Sequence, residues 1–174
     1  MKIMVTGDRG YIGSALVPIL RKKNYNVVGY DSGYFSENLV DSYSDEYQKI
    51  TKDIRDISED DLHGVDGIIH LAGLSNDPLG EFSPKLTEDI NYSGTIKLAI
   101  LAKKCGVSRF VYASSQSMYG VSNTQNELDE DDSQKNPVTS YAIAKWNAEQ
   151  ELHKMISNEF VVTSFRPSTV FGAS

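Results

Sequence analysis

The chain has 174 residues and a formal net charge of -7, and hydrophobic residues make up 40% of it. This length suggests one domain, and the composition is ordinary for a folded globular protein. The acidic balance argues against a nucleic-acid-binding surface, which needs clustered lysines and arginines. No apolar run approaches membrane-spanning length and the amino terminus lacks signal-peptide organisation, so we expect a cytoplasmic protein.

Apolar runs that predict strands alternate along the chain with helical patterns. The predicted strands are Lys2–Thr6, Tyr25–Tyr30, Gln48–Thr51, Gly67–Leu71, Arg109–Ala113 and Phe160–Phe165. The predicted helices are one around Ile12–Leu20, which contains Pro18, then Pro84–Lys104, and Thr139 to about Asn158. Residues 31–46 and 120–138 are predicted to be loops. The alternation predicts an α/β fold with a doubly wound parallel sheet between two helical layers.

Two further features receive structural interpretations. The single cysteine, Cys105, continues the apolar pattern of the second predicted helix. We therefore expect a buried thiol rather than a nucleophile. The acidic run Glu127–Asp132 is interpreted as a solvated loop, and we expect no metal site.

A glycine-rich motif, Gly7-Asp8-Arg9-Gly10-Tyr11-Ile12-Gly13, lies between the first strand and the first helix. Glycines at such a turn let the backbone turn sharply and approach a pyrophosphate, which then lies at the helix N-terminus. The spacing alone is also compatible with a tight turn that binds nothing. The position directly after a first strand favours a dinucleotide.

Asp31 ends the second predicted strand, 18 residues after Gly13. A carboxylate there can accept hydrogen bonds from both hydroxyls of an adenosine ribose, and it repels a 2′-phosphate. Arg9 acts in the opposite direction, because an arginine in the glycine loop can pair with a 2′-phosphate. On balance these residues predict NAD in preference to NADP.

Tyr141 and Lys145 are four residues apart in the last predicted helix, so their side chains share one face. A free tyrosine has a pKa of about 10, and a neighbouring ammonium lowers it, which would make the pair a proton-transfer device. Ser114 and Ser115 follow the strand Arg109–Ala113, at the edge where open parallel sheets bind ligands. Each feature taken alone is also compatible with a purely structural role.

Taken together, these residues resemble the extended short-chain dehydrogenase/reductase family, of the kind that acts on nucleotide sugars. The stretches that carry the resemblance occur in the family's order and are GDRGYIG, VVGYD, KDIRD, IIHLAG, INYSGT, FVYASSQSMYG, PVTSYAIAK and SFRPSTVFG. The resemblance implies a Rossmann fold, an NAD cofactor and a nucleotide-sugar substrate. It also implies a homodimer formed through the helices at 84–104 and 139–158.

The resemblance assigns cofactor contacts to individual residues. The cofactor diphosphate would be contacted by Gly7, Gly10, Tyr11, Ile12 and Gly13. Asp31 would hold the adenosine ribose, and the adenine would lie between Asp53 and Ile54. The residues running beside the rest of the cofactor would be Leu71, Ala72 and Gly73, with Pro167 and Ser168 near the nicotinamide.

The resemblance also implies a catalytic set consisting of Ser115, Tyr141, Lys145 and Asn91. Tyr141 would be the acid/base, and Lys145 would bind the nicotinamide ribose and tune Tyr141. Asn91 would support a proton-relay water.

Two positions after Ser115 bear on the type of reaction. Similar 4,6-dehydratases carry an Asp-Glu pair directly after the catalytic Ser/Thr, where this chain has Gln116 and Ser117. Neither side chain can act as a carboxylic acid or a carboxylate base, so elimination is disfavoured. An NAD-dependent epimerase is therefore the leading expectation. The alternatives are a dehydratase, reductase or decarboxylase of the same family, or a non-catalytic dinucleotide-binding module.

Members of this family usually continue well beyond a segment like Arg166–Gly172, whereas this chain stops at Ser174. We therefore expect residues 1–174 to form the dinucleotide-binding domain, without a C-terminal substrate domain. Such a chain is expected to fold, to bind dinucleotide weakly and to catalyse nothing by itself. The strand Phe160–Phe165 is expected to be an unpaired sheet edge.

Overall fold

Six parallel strands form the central sheet of this computed structural model, which describes residues 1–34, 47–75, 77–121 and 129–172. The strands are β1 (Lys2–Thr6), β2 (Asn26–Asp31), β3 (Gln48–Thr51), β4 (Gly67–His70), β5 (Arg109–Ala113) and β6 (Val161–Phe165). Their order is β3-β2-β1-β4-β5-β6, so the order reverses between β1 and β4. All six predicted strands are confirmed to within one residue at each end, and β6 lies at an edge as predicted.

The described helices are α1 (Tyr11–Lys22), α2 (Asp77–Phe82), α3 (Pro84–Thr87), α4 (Thr95–Lys104) and α5 (Ser140–Lys154). The helix predicted over Pro84–Lys104 is present, but a π-helical segment at Glu88–Gly94 joins α3 to α4. The last helix ends at Lys154 rather than near Asn158, and α2 was not predicted. Most of the predicted loop at 31–46, and residues 122–128 of the loop at 120–138, lie outside the described residues.

Both faces of the sheet are covered, which explains why the strands read as continuous apolar runs. On one face Met4, Val28 and Ile68 pack with side chains of α4 and α5. On the other face Ile3, Val5 and Val27 pack with Val17 of α1. These two clusters confirm the predicted helix, sheet and helix layers.

The prediction for Cys105 is wrong, because this thiol is exposed. Cys105 is the C-cap residue of α4, so it lies beyond the helix face that its spacing appeared to continue. Gly106 follows with a φ of 79°, which turns the chain toward β5. None of the described helices is long and apolar enough to cross a membrane. In the same ranges, no group of three or more His, Cys, Asp or Glu side chains is arranged to hold a metal ion.

Gly13 gives a test of this packing. A Cβ atom on Gly13 would lie 2.1 Å from the carbonyl oxygen of Gly7 and 2.7 Å from Cα of Asp8. We expect Gly13→Ala to lower the free energy of unfolding by about 1–3 kcal/mol, despite the better helix propensity of alanine. Urea denaturation would measure the change.

The matched control is Gly67→Ala, whose Cβ would meet only the end of the Met1 side chain at 3.4 Å and the Arg109 residue at 3.6 Å. This variant should change the free energy of unfolding much less. Equal losses in the two variants would contradict the close approach of the glycine loop to α1.

Candidate active site

The predicted site residues meet at one edge of the sheet, because parallel strands place all their carboxyl ends together. Gly7, Asp31 and Asp53 follow or end β1, β2 and β3. Beyond the reversal between β1 and β4, the loops after β4, β5 and β6 contribute Leu71, Ala72, Gly73, Ser115, Pro167 and Ser168. Crevices that bind ligands form at such reversals. The structure therefore brings the predicted residues to one crevice.

The glycine loop packs closely against the loop after β4. Gly7 has a φ of 75°, and its N–H donates to the Tyr30 carbonyl at 2.8 Å. A Cβ on Gly7 would lie 2.8 Å from the Ala72 nitrogen, so a larger residue would push the two loops apart. The first turn of α1 carries no acidic residue, and no side chain caps its N-terminus. These helix amides are therefore suited to an anion such as a diphosphate.

Arg9 lies across the ends of β2 and β3. Its Nη2 donates to the Asp31 carbonyl at 2.6 Å and to the Thr51 hydroxyl at 3.1 Å. Its Nε is buried and has no hydrogen-bond partner among the described residues. Because a buried N–H without an acceptor is costly, this atom fits an acceptor oxygen on a ligand bound beside Asp31.

Asp53 and Ile54 lie at the end of β3, as predicted, but both side chains have partners within the protein. The Asp53 carboxylate accepts hydrogen bonds from N, Nε and Nη2 of Arg55, which hold the pKa of Asp53 below its ordinary value. Ile54 is buried, and a Cβ on Gly94 would lie 3.1 Å from its Cγ2. Their contacts with an adenine ring remain predictions.

Tyr141 lies in the first turn of α5, and Ser115 lies just after the end of β5. Ser115 caps a short 3-10 turn, and its Oγ accepts from the Ser117 N–H at 3.1 Å. Burial raises the pKa of Tyr141, the hydrogen bond with Ser115 lowers it, and the charge of Asp77 raises it. The net direction is upward from the ordinary value.

Lys145 lies one helical turn after Tyr141 and is buried. Its Nζ donates to the Ala113 carbonyl at 2.9 Å and lies 5.9 Å from the centre of the Tyr141 ring. Burial lowers the pKa of Lys145 to about 8. The structure therefore does not give the predicted lowering of the Tyr141 pKa by Lys145, because the amine is directed at a backbone carbonyl and burial dominates both groups.

Asn91 is buried within the π segment. Its Oδ1 accepts from the Leu74 N–H at 2.8 Å, and its Nδ2 donates to the Leu74 carbonyl at 2.9 Å. A Cβ on Gly73 would lie 2.8 Å from Asn91 Oδ1 and 3.7 Å from Lys145 Nζ. Asn91 therefore holds the loop after β4 beside the amine of Lys145.

Sequence reasoning missed a buried hydrogen-bond chain through His70. His70 Nδ1 lies 2.6 Å from the Thr6 hydroxyl, and Nε2 lies 2.8 Å from the Thr95 hydroxyl. Thr95 donates to the Asn91 carbonyl at 2.8 Å, so Nε2–H donates to Thr95 and Nδ1 accepts from Thr6. Burial lowers the pKa of His70 to about 3, which keeps the ring neutral. The sequence signal was a histidine inside the apolar run GIIHL.

A cavity of about 810 Å³ opens beside Ser115 and Tyr141. It is lined by Asp77, Gln116, Ser117, Tyr119, Gly120, Val121, Glu130, Val138, Thr139 and Arg166. The Gln116 N–H donates to the Pro167 carbonyl at 3.2 Å, which places the predicted Pro167 beside the loop after β5, while Ser168 is exposed. Sequence reasoning did not identify Asp77 or Arg166.

Comparison with known proteins identifies related chains. A family model described as the NAD dependent epimerase/dehydratase family matches residues 3–174. The UDP-glucose 4-epimerase of Mycolicibacterium smegmatis is 32% identical over 184 residues, which cover 99% of this chain and 57% of that protein. UDP-glucuronic acid decarboxylase 1 of Arabidopsis thaliana is 33% identical over 69% of this chain and 27% of that protein.

The same similarity extends to solved structures. A UDP-glucose 4-epimerase from Thermotoga maritima, solved with UDP-glucose, matches with a TM-score of 0.83 at 26% identity. The match covers 95% of this chain and 55% of that one. The chain therefore spans about half the length of the curated relatives that it matches over nearly all of its own length.

The neutral His70 ring predicts a specific pH dependence of stability. The folded pKa of about 3 lies below the ordinary value of 6.5, so the unfolded chain binds more protons between these values. Stability from this group is complete above pH 6.5 and is lost as the pH falls, by roughly 2 kcal/mol at pH 5. Urea unfolding between pH 7 and 5 would measure it.

In His70→Gln this part of the pH dependence should disappear, whereas the control His63→Gln, which changes an exposed histidine, should retain it. The ring nitrogen shifts of His70 give an independent NMR measurement. A protonated His70 ring in the folded protein at pH 5 would show that the buried chain is not as described.

Proposed function

Because the chain belongs to the NAD dependent epimerase/dehydratase family, we propose that it is the cofactor-binding part of a nucleotide-sugar epimerase. The observation that carries the proposal is the grouping of Ser115 at the end of β5, Tyr141 in the first turn of α5 and the buried amine of Lys145, 5.9 Å from the centre of the Tyr141 ring, beside a cavity of about 810 Å³. This arrangement provides a proton-transfer group at the edge of a sheet suited to a dinucleotide.

The residues at the crevice fit NAD. The uncapped N-terminus of α1 suits the diphosphate, and the unpaired Nε of Arg9 beside Asp31 suits an oxygen at the ribose end. The carboxylate of Asp31 accepts from the Gly33 N–H at 2.6 Å, which fixes one of its oxygens at this end of the crevice. NAD, when bound, takes a hydride from a sugar carbon and returns it.

The side chains supply the accompanying proton transfer. Tyr141 removes the proton from the sugar hydroxyl on the carbon that loses the hydride, which leaves a ketone. Ser115 would donate a hydrogen bond to the developing oxygen, and Lys145 would bind the nicotinamide ribose. The ketone then rotates in the site, so that the hydride would return to its other face. Tyr141 returns the proton to the oxygen, and the alcohol of inverted configuration forms.

The loop after β5 favours this reaction over elimination. Gln116 and Ser117 line the cavity directly after Ser115, and neither is a carboxylic acid. A decarboxylase is the second candidate, because UDP-glucuronic acid decarboxylase 1 of Arabidopsis thaliana is among the relatives.

The role of Tyr141 can be tested by Tyr141→Phe, which removes only the hydroxyl. In a chain that also carries the C-terminal substrate domain, we expect the rate of hydride transfer from UDP-glucose to fall by a factor on the order of 10²–10⁴, because the proton has no acceptor. The affinity for NAD should change little. Stopped-flow absorbance of NADH and calorimetric titration of NAD would measure the two quantities.

Tyr25→Phe is the control, since Tyr25 precedes β2 at the opposite end of the sheet. Its rate and NAD affinity should match those of the unchanged protein. A Tyr141→Phe protein that keeps most of its hydride-transfer rate would show that another group is the base.

Cofactor preference can be tested at Asp31. The protein should bind NAD more tightly than NADP, because a carboxylate beside a 2′-phosphate is a like-charge contact. Asp31→Asn should narrow this preference by about tenfold, and Asp60→Asn, at an exposed position, should not. Calorimetric titration with both cofactors decides. Tighter binding of NADP by the unchanged protein would mean that Arg9 outweighs Asp31.

A further inference from the structure

The cavity beside Ser115 and Tyr141 has an acidic wall. Asp77 lies at the start of α2, is half-buried and lines the cavity. Its Oδ1 accepts a hydrogen bond of 2.5 Å from the hydroxyl of Thr139, which is the N-cap residue of α5. Asp77 is therefore held by Thr139, which lies two residues before Tyr141 in the chain. The charge of Asp77 raises the pKa of Tyr141.

The only cation among the residues that line this cavity is already paired. Arg166 Nε and Nη2 donate to the Glu149 carboxylate, the latter at 2.6 Å. Its Nη1 donates to the Tyr119 hydroxyl and to the Glu130 carbonyl, both at 2.7 Å. Glu149 is 1% exposed, so the two charges neutralise each other within the protein. Arg166 consequently offers little attraction to an anion in the cavity.

Nearby lysines do not change this balance. Lys135 is not among the residues that line the cavity; its Nζ donates to the Glu130 and Asp131 carbonyls and lies 5.8 Å from the centre of the Tyr119 ring. Lys145 is buried against the Ala113 carbonyl. Residues 35–46, 76, 122–128 and 173–174, which lie outside the described ranges, contain no lysine or arginine. The carboxylates of Asp77 and Glu130 therefore dominate the wall that this chain contributes.

We propose that Asp77 makes the sugar site selective for neutral sugars that present hydroxyl groups, and that its charge excludes uronic acids. The proposal rests on the proposed function, since the cavity must hold the sugar of a nucleotide sugar. A carboxylate held by one hydroxyl donor can accept further hydrogen bonds from sugar hydroxyls. A second carboxylate enclosed in the same cavity meets like charge, and none of the described lining residues is an unpaired cation that could balance it.

The test compares three ligands by isothermal titration calorimetry on an NAD-loaded chain that also carries the C-terminal substrate domain. UDP-glucose and UDP-xylose should each bind at least about tenfold more tightly than UDP-glucuronate. UDP-xylose lacks the C6 group altogether, so its tighter binding separates repulsion of the carboxylate from loss of a contact at C6. Raising the salt concentration should narrow the difference, since screening weakens the repulsion.

Asp77→Asn keeps an acceptor for Thr139 and removes the charge. It should raise the affinity for UDP-glucuronate about tenfold relative to UDP-glucose. The matched control is Glu81→Gln, one turn along the same helix, where the carboxylate accepts from the Ser140 N–H and does not line the cavity. Glu81→Gln should leave the ratio of the two affinities unchanged. Unchanged NAD affinity in both variants verifies the fold.

The outcomes separate this inference from the proposed function. If UDP-glucose and UDP-xylose bind but UDP-glucuronate binds as tightly as UDP-glucose, the inferred selectivity is wrong and the proposed function stands. The same conclusion follows if Asp77→Asn leaves the ratio unchanged or if Glu81→Gln shifts it equally. If NAD binds and none of the three UDP-sugars does, the proposed function fails and this inference fails with it.

Discussion

The site depends on one constraint, which is that a histidine lies in the middle of a sheet covered on both faces. A buried imidazole must have partners for both nitrogens or lose stability. His70 satisfies this with the hydroxyls of Thr6 and Thr95, and the chain of hydrogen bonds continues to the Ala72 N–H at one end and to the Asn91 carbonyl at the other. The chain therefore connects the end of β1, the loop after β4 and the π segment. Of these, the loop after β4 lies beside the buried amine of Lys145, since a Cβ on Gly73 would lie 3.7 Å from its Nζ.

The π segment is the local consequence of these contacts. A π turn leaves backbone groups without their α-helical partners, and such turns occur often at functional sites. Here the Thr95 hydroxyl donates a hydrogen bond to the Asn91 carbonyl. The Asn91 side chain accepts from the Leu74 N–H and donates to the Leu74 carbonyl. Gly94 completes the segment because a side chain at that position would press on Ile54. The distortion of the helix is thus compensated by contacts with the loop after β4, and Asn91 is fixed by three hydrogen bonds.

The layers and strands could be predicted because buried parallel strands leave continuous apolar runs in the sequence. The glycine loop and the pair of Tyr141 and Lys145 could be predicted because their residues lie close together in the sequence. Other features depend on residues far apart in the chain. Thr6 and His70 are separated by 64 residues, and Asp77 and Thr139 by 62. Cys105 shows the same limit on a small scale, since its spacing continues the helix face but the helix has ended. The π segment could not be predicted either, because it is accompanied by hydrogen bonds between Asn91 and Leu74 and between Thr95 and His70, which are 17 and 25 residues apart in the chain.

The net charge of -7 is compatible with a site for an anionic dinucleotide, because the groups at a site rather than the net charge set the local field. At the glycine loop, backbone amides of α1 and the guanidinium of Arg9 face the crevice without a carboxylate in the first helical turn. Beyond Ser115, the lining carboxylates are Asp77 and Glu130, and the only lining arginine is neutralised by Glu149. The described residues at the glycine loop thus offer hydrogen-bond donors to an anion, whereas those of the cavity offer carboxylates. Lys145 lies between the two regions, and burial lowers the pKa of its amine to about 8.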